Sequence, residues 1–242
     1  MEITSGMVQV TTADGAMRAS LSRPTAGGRY PGVVVVQEAF GLNEHIKDVA
    51  ARLAREGYVT LAPDLYYRQN NAVVGYDNLP EAIRLMMALS DDNIVKDMGA
   101  AISHLQQQPA VRADRIGVTG FCMGGRVTFL TACLNPAVKA GVPFYGGGIG
   151  SAAPGGKAPL DHAAALTGAL LLFYGEKDGF ISLDEVERVK TRLAELKKNA
   201  EVVVYPGADH GFFCNERASY HPASAADAWS RLLKFFEKHL KA

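Results

Sequence analysis

Continuous apolar runs alternate along the chain with segments of helical periodicity. The runs Gly32–Val36 and Ala169–Tyr174 are apolar throughout, which is typical of strands buried on both faces of a parallel sheet. Near the N-terminus, Asp14-Gly15 is a hairpin signal between residues 7–11 and 16–22, so we expect an antiparallel pair there. Further strands are predicted at residues 58–62, 116–118, 138–145 and 201–205.

Segments with the spacing of amphipathic helices follow most of these strands. Gly57 ends the first of them, as glycine commonly does. The predicted helices span residues 43–56, 80–89, 92–107, 124–134, 183–198 and 221–240, and the last one buries Trp229, Leu232, Leu233, Phe235 and Phe236. The alternation predicts an α/β fold, a mostly parallel central sheet flanked by helices on both faces. No repeat or interior linker is visible, so we expect one domain over residues 1–242.

Two segments show neither the apolar runs of buried strands nor the spacing of amphipathic helices, and they are predicted to be loops. Residues 65–79 are rich in Tyr and Asn, and residues 146–160 are rich in Gly, Ala and Pro. We expect mobility in the second loop, because it has little to pack. Loops at such positions often cover a site, but they are equally often plain surface.

Composition narrows the function classes. The 25 basic and 25 acidic residues balance, which gives no electrostatic case for a nucleic-acid or membrane partner. No apolar run approaches the roughly 20 residues that span a bilayer, and no signal peptide is visible. Three cysteines are too few and too scattered for a disulfide framework or a zinc site. We expect a soluble, cytoplasmic protein without a metal or organic cofactor.

The segment Arg115–Arg126 carries the strongest chemical signal. Its glycines surround Cys122 with the spacing of the nucleophile elbow G-x-S-x-G, with cysteine in place of serine. An elbow holds its nucleophile between a strand and the N-terminus of a helix, whose partial positive charge favours the thiolate. The alternative is a buried structural thiol.

Three more polar groups follow predicted strands. Because the carboxyl ends of parallel strands meet at one edge of a sheet, we expect Glu38, Asp178 and His210 near Cys122. The order nucleophile, acid, histidine is that of α/β-hydrolases. His210 would then be the general base, and Asp178 would orient its ring.

Rival residues fit these roles less well. Asp209 adjoins the histidine and is expected to bond turn backbone, whereas Asp64 precedes the elbow and is expected to cap a turn. The remaining histidines fall in predicted helices or beside a loop, at His45, His104, His162, His221 and His239.

With these residues in view, the chain resembles the dienelactone hydrolase family of α/β-hydrolases. The motifs that carry the resemblance lie in order over most of the chain: Gln37–Gly41, Ala62–Tyr66, Gly120–Gly125, Phe144–Gly146, Tyr174–Asp178 and His210–Phe212. The resemblance implies an α/β-hydrolase fold and a Cys-His-Asp triad that opens an enol-lactone or ester through a thioester. The triad falls on Cys122, His210 and Asp178.

The resemblance also implies supporting residues. Glu38 would hydrogen-bond the resting thiol, and the backbone N–H groups of Met123 and Ala39 would form the oxyanion hole. Tyr145 would line the pocket. The predicted substrate-binding set is Tyr145, Phe40, Gly211, Phe212 and Cys214.

One departure concerns the substrate. Family members that act on dienelactone hold its carboxylate with two arginines, where this chain has Leu79 and Cys214. Arg217, Arg84 or Arg126 could replace them, but each is equally suited to a surface ion pair. We therefore expect a less charged ester or lactone as substrate.

Two other function classes stay open. Cys122 could be a redox or peroxide-sensing thiol with Cys214 as its resolving partner. A binding module without catalysis would leave His210 and Asp178 away from the thiol. The expected partner is a small-molecule substrate, and we expect a monomer or homodimer.

Overall fold

The computed structural model describes residues 1–152 and 156–242. Residues 153–155, within the loop predicted at 146–160, lie outside the described residues. The chain divides into two compact units, Met1–Val118 and Thr119–Ala242. The expected single domain over residues 1–242 stays a prediction.

The first unit contains a mixed set of strands with three helices. Strands β1 and β2 pair antiparallel, with Thr12 opposite Gly15 at the predicted turn. β4 pairs antiparallel with β2 and parallel with β3, and the order is β1-β2-β4-β3-β5. The elements are β1 (Ile3–Thr12), β2 (Gly15–Pro24), β3 (Tyr30–Val36), α1 (Glu44–Arg55), β4 (Val59–Pro63), α2 (Leu79–Met87), α3 (Asp91–Gln106) and β5 (Val111–Phe121), which continues into the second unit.

Packing in this unit explains why β3 is apolar throughout. Residues 31–36 are all buried, so both faces of the strand are covered. At Gly32 an added Cβ would lie 2.9 Å from side-chain atoms of Leu105 on α3 and Ile116 on β5. Glycine at this position therefore lets α3 approach the sheet closely. Asn43 begins α1 by accepting a hydrogen bond from Ile46 N at 3.2 Å.

The second unit is built on parallel strands. β7 pairs parallel with β6 and with β8, and the order is β5-β6-β7-β8. All residues of β7 are buried, as its apolar run predicts. The elements are α4 (Met123–Leu134), β6 (Val138–Phe144), β7 (Ala169–Gly175), α5 (Leu183–Glu195), β8 (Ala200–Tyr205) and α6 (Pro222–Phe236).

The predicted α/β class is confirmed, with parallel strands beyond an antiparallel N-terminal pair. Three local elements differ from the prediction. A 3₁₀ turn, Pro159–Ala165, lies in and beyond the predicted second loop, where Asp161 accepts a hydrogen bond from Ala158 N at 2.9 Å. A 3₁₀ turn at Tyr67–Gln69 ends where Asn70 has φ 56°. The last helix changes at Glu237–Lys241 to π-helical hydrogen bonding.

Among the helices of the described residues, none is both long enough and apolar enough to cross a bilayer.

Candidate active site

A sharp turn holds Cys122 between β5 and α4. Its φ of 55° and ψ of −118° lie in a region that non-glycine residues seldom adopt. Cys122 N donates to Phe144 O at 3.1 Å, and Cys122 O accepts from Gly125 N at 2.9 Å. An added Cβ at Gly120 would overlap the Gly124 carbonyl oxygen. These contacts give the geometry that the elbow motif predicts, and they leave the thiol partly exposed.

The carboxylate of Asp178 is held from both sides. Its Oδ1 accepts hydrogen bonds from Phe180 N at 2.9 Å and Ile181 N at 3.1 Å. Its Oδ2 lies 2.8 Å from His210 Nδ1. The Asp178 side chain has no exposed surface, and that of His210 is 8% exposed. The buried carboxylate therefore fixes which ring nitrogen faces it.

Backbone hydrogen bonds hold the two loops that carry this pair. Glu176 N donates to Tyr205 O at 3.0 Å, and Lys177 N donates to Ala208 O at 2.8 Å. In return, Gly207 N donates to Glu176 Oε2 at 2.8 Å. These hydrogen bonds join the turn after β7, which carries Asp178, to the turn after β8, which carries His210. The two side chains are therefore held in fixed positions relative to each other.

The His210 ring is also hydrogen-bonded to the Cys122 thiol. Burial disfavours the charged ring, but the hydrogen bonds to Asp178 and Cys122 outweigh it and raise the pKa of His210 to about 10. The raised pKa favours the protonated ring, which can stabilise a thiolate. The structure thus brings together Cys122, His210 and Asp178.

Two aromatic rings contact the His210 imidazole. Tyr145, which is fully buried, lies edge-on with its centroid 5.1 Å away, and Phe212 packs on Tyr145 at 5.3 Å. Phe180 lies at the same 5.1 Å distance, also edge-on. Phe180 was not singled out from the sequence, and its position two residues after Asp178 was the available signal.

The other predicted residues of the second unit lie around this group. Met123 is the first residue of α4, immediately after the thiol. Gly211 has φ 80°, and the Arg217 guanidinium occupies the space that a Cβ there would need. Phe212 and Cys214 are fully buried. None of the three cysteines forms a disulfide bond.

In the first unit, Glu38 is fully buried. Tyr76 donates its hydroxyl to Glu38 Oε2 at 3.0 Å, and Asn43 Nδ2 donates to the Tyr76 hydroxyl at 3.0 Å. Phe40 packs edge-on against Tyr76 with a centroid distance of 4.6 Å. Loop 65–79, which carries Tyr76, therefore contacts both predicted site residues.

Ala39, the other predicted donor of the oxyanion hole, is also buried. Its carbonyl oxygen accepts a hydrogen bond from the Tyr66 hydroxyl at 2.9 Å, which fixes the peptide unit that follows Ala39. The roles of Glu38, Ala39 and Phe40 in catalysis or binding stay predictions.

The rival carboxylates have structural partners. Asp64 accepts from Arg18 Nε at 2.6 Å and from Tyr66 N at 3.0 Å, and Asp209 accepts from His210 N at 2.6 Å. In residues 1–152 and 156–242, no cluster of three or more His, Cys, Asp or Glu side chains could hold a metal ion.

Known proteins resemble the chain over nearly its full length. A model of the dienelactone hydrolase family matches residues 17–240. A Synechocystis protein named "Putative carboxymethylenebutenolidase" is 39% identical over 248 residues, 100% of this chain and 99% of that protein. A Bradyrhizobium protein named "Probable 2-oxo-3-(5-oxofuran-2-ylidene)propanoate lactonase" is 35% identical over 243 residues, 98% of this chain and 96% of that protein.

A solved structure extends the likeness to three dimensions. The crystal structure of a Klebsiella pneumoniae protein named "Putative Dienelactone Hydrolase" superposes with a TM-score of 0.90 at 39% identity. The match covers 98% of this chain and 100% of that one. The fold is that of the α/β-hydrolases, as predicted. The chain belongs to the dienelactone hydrolase family, and it is a hydrolase of carboxylic ester or lactone bonds.

Proposed function

We propose that this enzyme cleaves a small ester or lactone by covalent catalysis, with Cys122 as the nucleophile. His210 serves as the general acid and base, and Asp178 orients its ring. The observation that carries the proposal is that His210 bonds Asp178 at 2.8 Å and the Cys122 thiol at the same time. Such an arrangement of nucleophile, base and orienting group is the pattern of triad hydrolases.

The first half-reaction forms a thioester. The Cys122 thiolate attacks the carbonyl carbon, and the carbonyl electron pair moves onto oxygen. By the family resemblance, the backbone N–H groups of Met123 and Ala39 stabilise this oxyanion. When the tetrahedral intermediate collapses, the bond to the leaving oxygen breaks, and the His210 imidazolium donates its proton to that oxygen. In a lactone the leaving oxygen stays attached to the acyl group.

The second half-reaction releases the acid. Neutral His210 takes a proton from water, and the resulting hydroxide attacks the thioester carbonyl. The C–S bond breaks, and the electron pair returns to sulfur as the Cys122 thiolate beside protonated His210. This ion pair is the form that the raised pKa of His210 favours. The redox alternative requires neither Asp178 nor His210, so the triad contacts support hydrolysis instead.

Glu38 is proposed as a fourth catalytic residue that controls protonation of the thiol. The support is the family resemblance and the full burial of its carboxylate, with Tyr76 as a donor at 3.0 Å. By the same resemblance, Tyr145, Phe40, Gly211, Phe212 and Cys214 line the substrate site.

The substrate is proposed to carry little negative charge. Where the family pattern has two arginines, Leu79 begins α2 and Cys214 is buried. Arg84, one possible replacement, bonds Glu81 on the same helix at 2.6 Å. A neutral ester and its carboxylate-substituted analogue therefore provide a test. We expect similar kcat/KM values, and a strong preference for the carboxylate would contradict this assignment.

Hydrolysis of p-nitrophenyl acetate tests the nucleophile. We expect Cys122→Ala to lower kcat by at least about a thousandfold, because removal of a triad nucleophile stops covalent catalysis. Cys133→Ala is the matched control, since Cys133 is a buried thiol of α4. Equal rates for wild type and Cys122→Ala would reject the proposal.

A further inference from the structure

Phe180 is a large apolar side chain that is 66% exposed, yet it contacts the His210 ring at a centroid distance of 5.1 Å. Single exposed apolar residues are common on protein surfaces. Phe180 differs because its own backbone N–H donates to Asp178 Oδ1 at 2.9 Å. The carboxylate that orients His210 therefore also fixes the start of the Phe180 side chain.

The two aromatic rings that contact the His210 ring differ in exposure. Tyr145 is fully buried, whereas Phe180 is open to solvent. His210 Nδ1 bonds Asp178, so the proton for the leaving group comes from the other ring nitrogen. A leaving group that receives this proton and extends toward solvent can contact the exposed Phe180 ring, whereas the fully buried Tyr145 ring is closed to solvent.

We propose that Phe180 forms the wall of the leaving-group site and selects esters and lactones whose leaving oxygen is attached to a flat, unsaturated group. This inference rests on the proposed role of His210 as general acid. An aryl or enol group can stack on, or meet edge-on, the exposed ring and exclude water from both. A saturated group of similar acidity lacks this contact. Phe180 is thus a specificity-determining residue.

Two acetate esters with activated leaving groups separate this role from a structural one. Phenyl acetate has a flat aromatic leaving group, and 2,2,2-trifluoroethyl acetate has a small saturated one. The variants are Phe180→Ala and Phe180→Leu, which keeps apolar volume without a ring. Leu183→Ala is the control, because Leu183 is exposed to a comparable extent, 49%, at the start of α5.

We expect Phe180→Ala and Phe180→Leu to lower kcat/KM for phenyl acetate about tenfold. For trifluoroethyl acetate we expect a change of less than about twofold. Leu183→Ala is expected to leave both values unchanged. A parallel loss for both esters would show that Phe180 only supports His210, and no loss for either would remove its role; both results overturn the inference. Cys122→Ala, assayed on the same two esters, tests the proposed triad separately. Retained activity in this variant would refute the triad, whatever effect the Phe180 variants have on the two esters.

Discussion

Asp178 Oδ2 and His210 Nδ1 lie 2.8 Å apart, although 32 residues separate them in the chain. The other oxygen of Asp178 accepts two backbone N–H groups, from Phe180 and Ile181. The carboxylate therefore cannot rotate without losing these bonds. The fixed carboxylate in turn holds the orientation of the His210 imidazole, which hydrogen-bonds the Cys122 thiol.

Replacement of Asp178 by Asn tests this orientation. The amide oxygen can still accept the two backbone N–H groups, so we expect the variant to fold. Its NH₂ group cannot accept the proton of Nδ1, so the ring takes the wrong tautomer, and kcat falls by about 10³- to 10⁴-fold. Asp209→Asn is the control, because Asp209 accepts a hydrogen bond from the backbone N–H of His210 and not from its ring. Similar kcat values for the two variants would refute the assignment of Asp178.

The pH dependence of stability tests the pKa of His210. The folded-state pKa is raised to about 10 by Asp178 and Cys122, against about 6.5 in the unfolded chain. Because the folded pKa is the higher one, this stabilisation is fully present below about pH 6.5 and is lost as the pH rises through about 10. Urea unfolding of wild type and His210→Gln at pH 6, 8 and 10 measures it.

We expect the difference in free energy of unfolding between these two proteins to shrink steadily with rising pH. A difference that stays constant or grows would show that the ring is neutral in the folded protein. Asp178→Asn removes one of the hydrogen bonds that raise the pKa of His210. In this variant we therefore expect the stabilisation by protonated His210 to be lost at a lower pH than in the wild type.

Gly120→Ala tests the elbow. The new Cβ would overlap the Gly124 carbonyl oxygen and lie 2.8 Å from Thr128 Oγ1, so we expect a loss of about 1–3 kcal/mol in the free energy of unfolding and lower activity. The matched variant is Gly99→Ala, because a Cβ there meets nothing within 4 Å on helix α3. This change should stabilise by about 0.5–1 kcal/mol. Denaturant unfolding checks both, and equal effects would contradict the packing argument.

Tyr76→Phe tests the coupling of loop 65–79 to Glu38. The change removes the hydroxyl that donates to the buried carboxylate at 3.0 Å, so we expect a stability loss of about 1–3 kcal/mol and a changed pH profile of kcat. Tyr67→Phe is the control from the same loop. Tyr67 also donates to a carboxylate, Asp97, at 3.0 Å, but Asp97 keeps its bonds to Arg68.

If Glu38 acts on the thiol, the Tyr67 variant should leave the pH profile of kcat unchanged. In a Glu38→Gln background the Tyr76 change should then have no further effect on that profile. The same shift in both tyrosine variants would limit the role of Tyr76 to stability.

The parts of the fold that sequence reasoning predicted are those encoded locally. The runs at β3 and β7 are apolar because both faces of these strands are buried. The spacing of Gly120, Cys122 and Gly124 encodes a turn whose backbone must pass close to itself. Asp178 and His210 each follow a predicted strand. Because the carboxyl ends of parallel strands meet at one edge of a sheet, the sequence already placed these two residues close together.

The features that were missed depend on contacts between distant segments. Phe180 contacts a ring 30 positions later, and the bond from Gly207 N to Glu176 joins two loops. Neither contact leaves a local pattern in the sequence. β5 begins at Val111, earlier than predicted, because the polar residues of 112–115 hide the start of the strand. The bond from Tyr76 to Glu38 likewise spans 38 residues.

The most direct test of the mechanism is to identify the covalent intermediate. Wild-type enzyme is mixed with p-nitrophenyl acetate, quenched in acid within milliseconds, digested, and mapped by mass spectrometry. We predict one acetyl group on the peptide that contains Cys122, formed and lost at the rate of turnover and absent from Cys122→Ala. An acetyl group on another residue, or turnover with no acyl-enzyme and full activity in Cys122→Ala, would contradict the account.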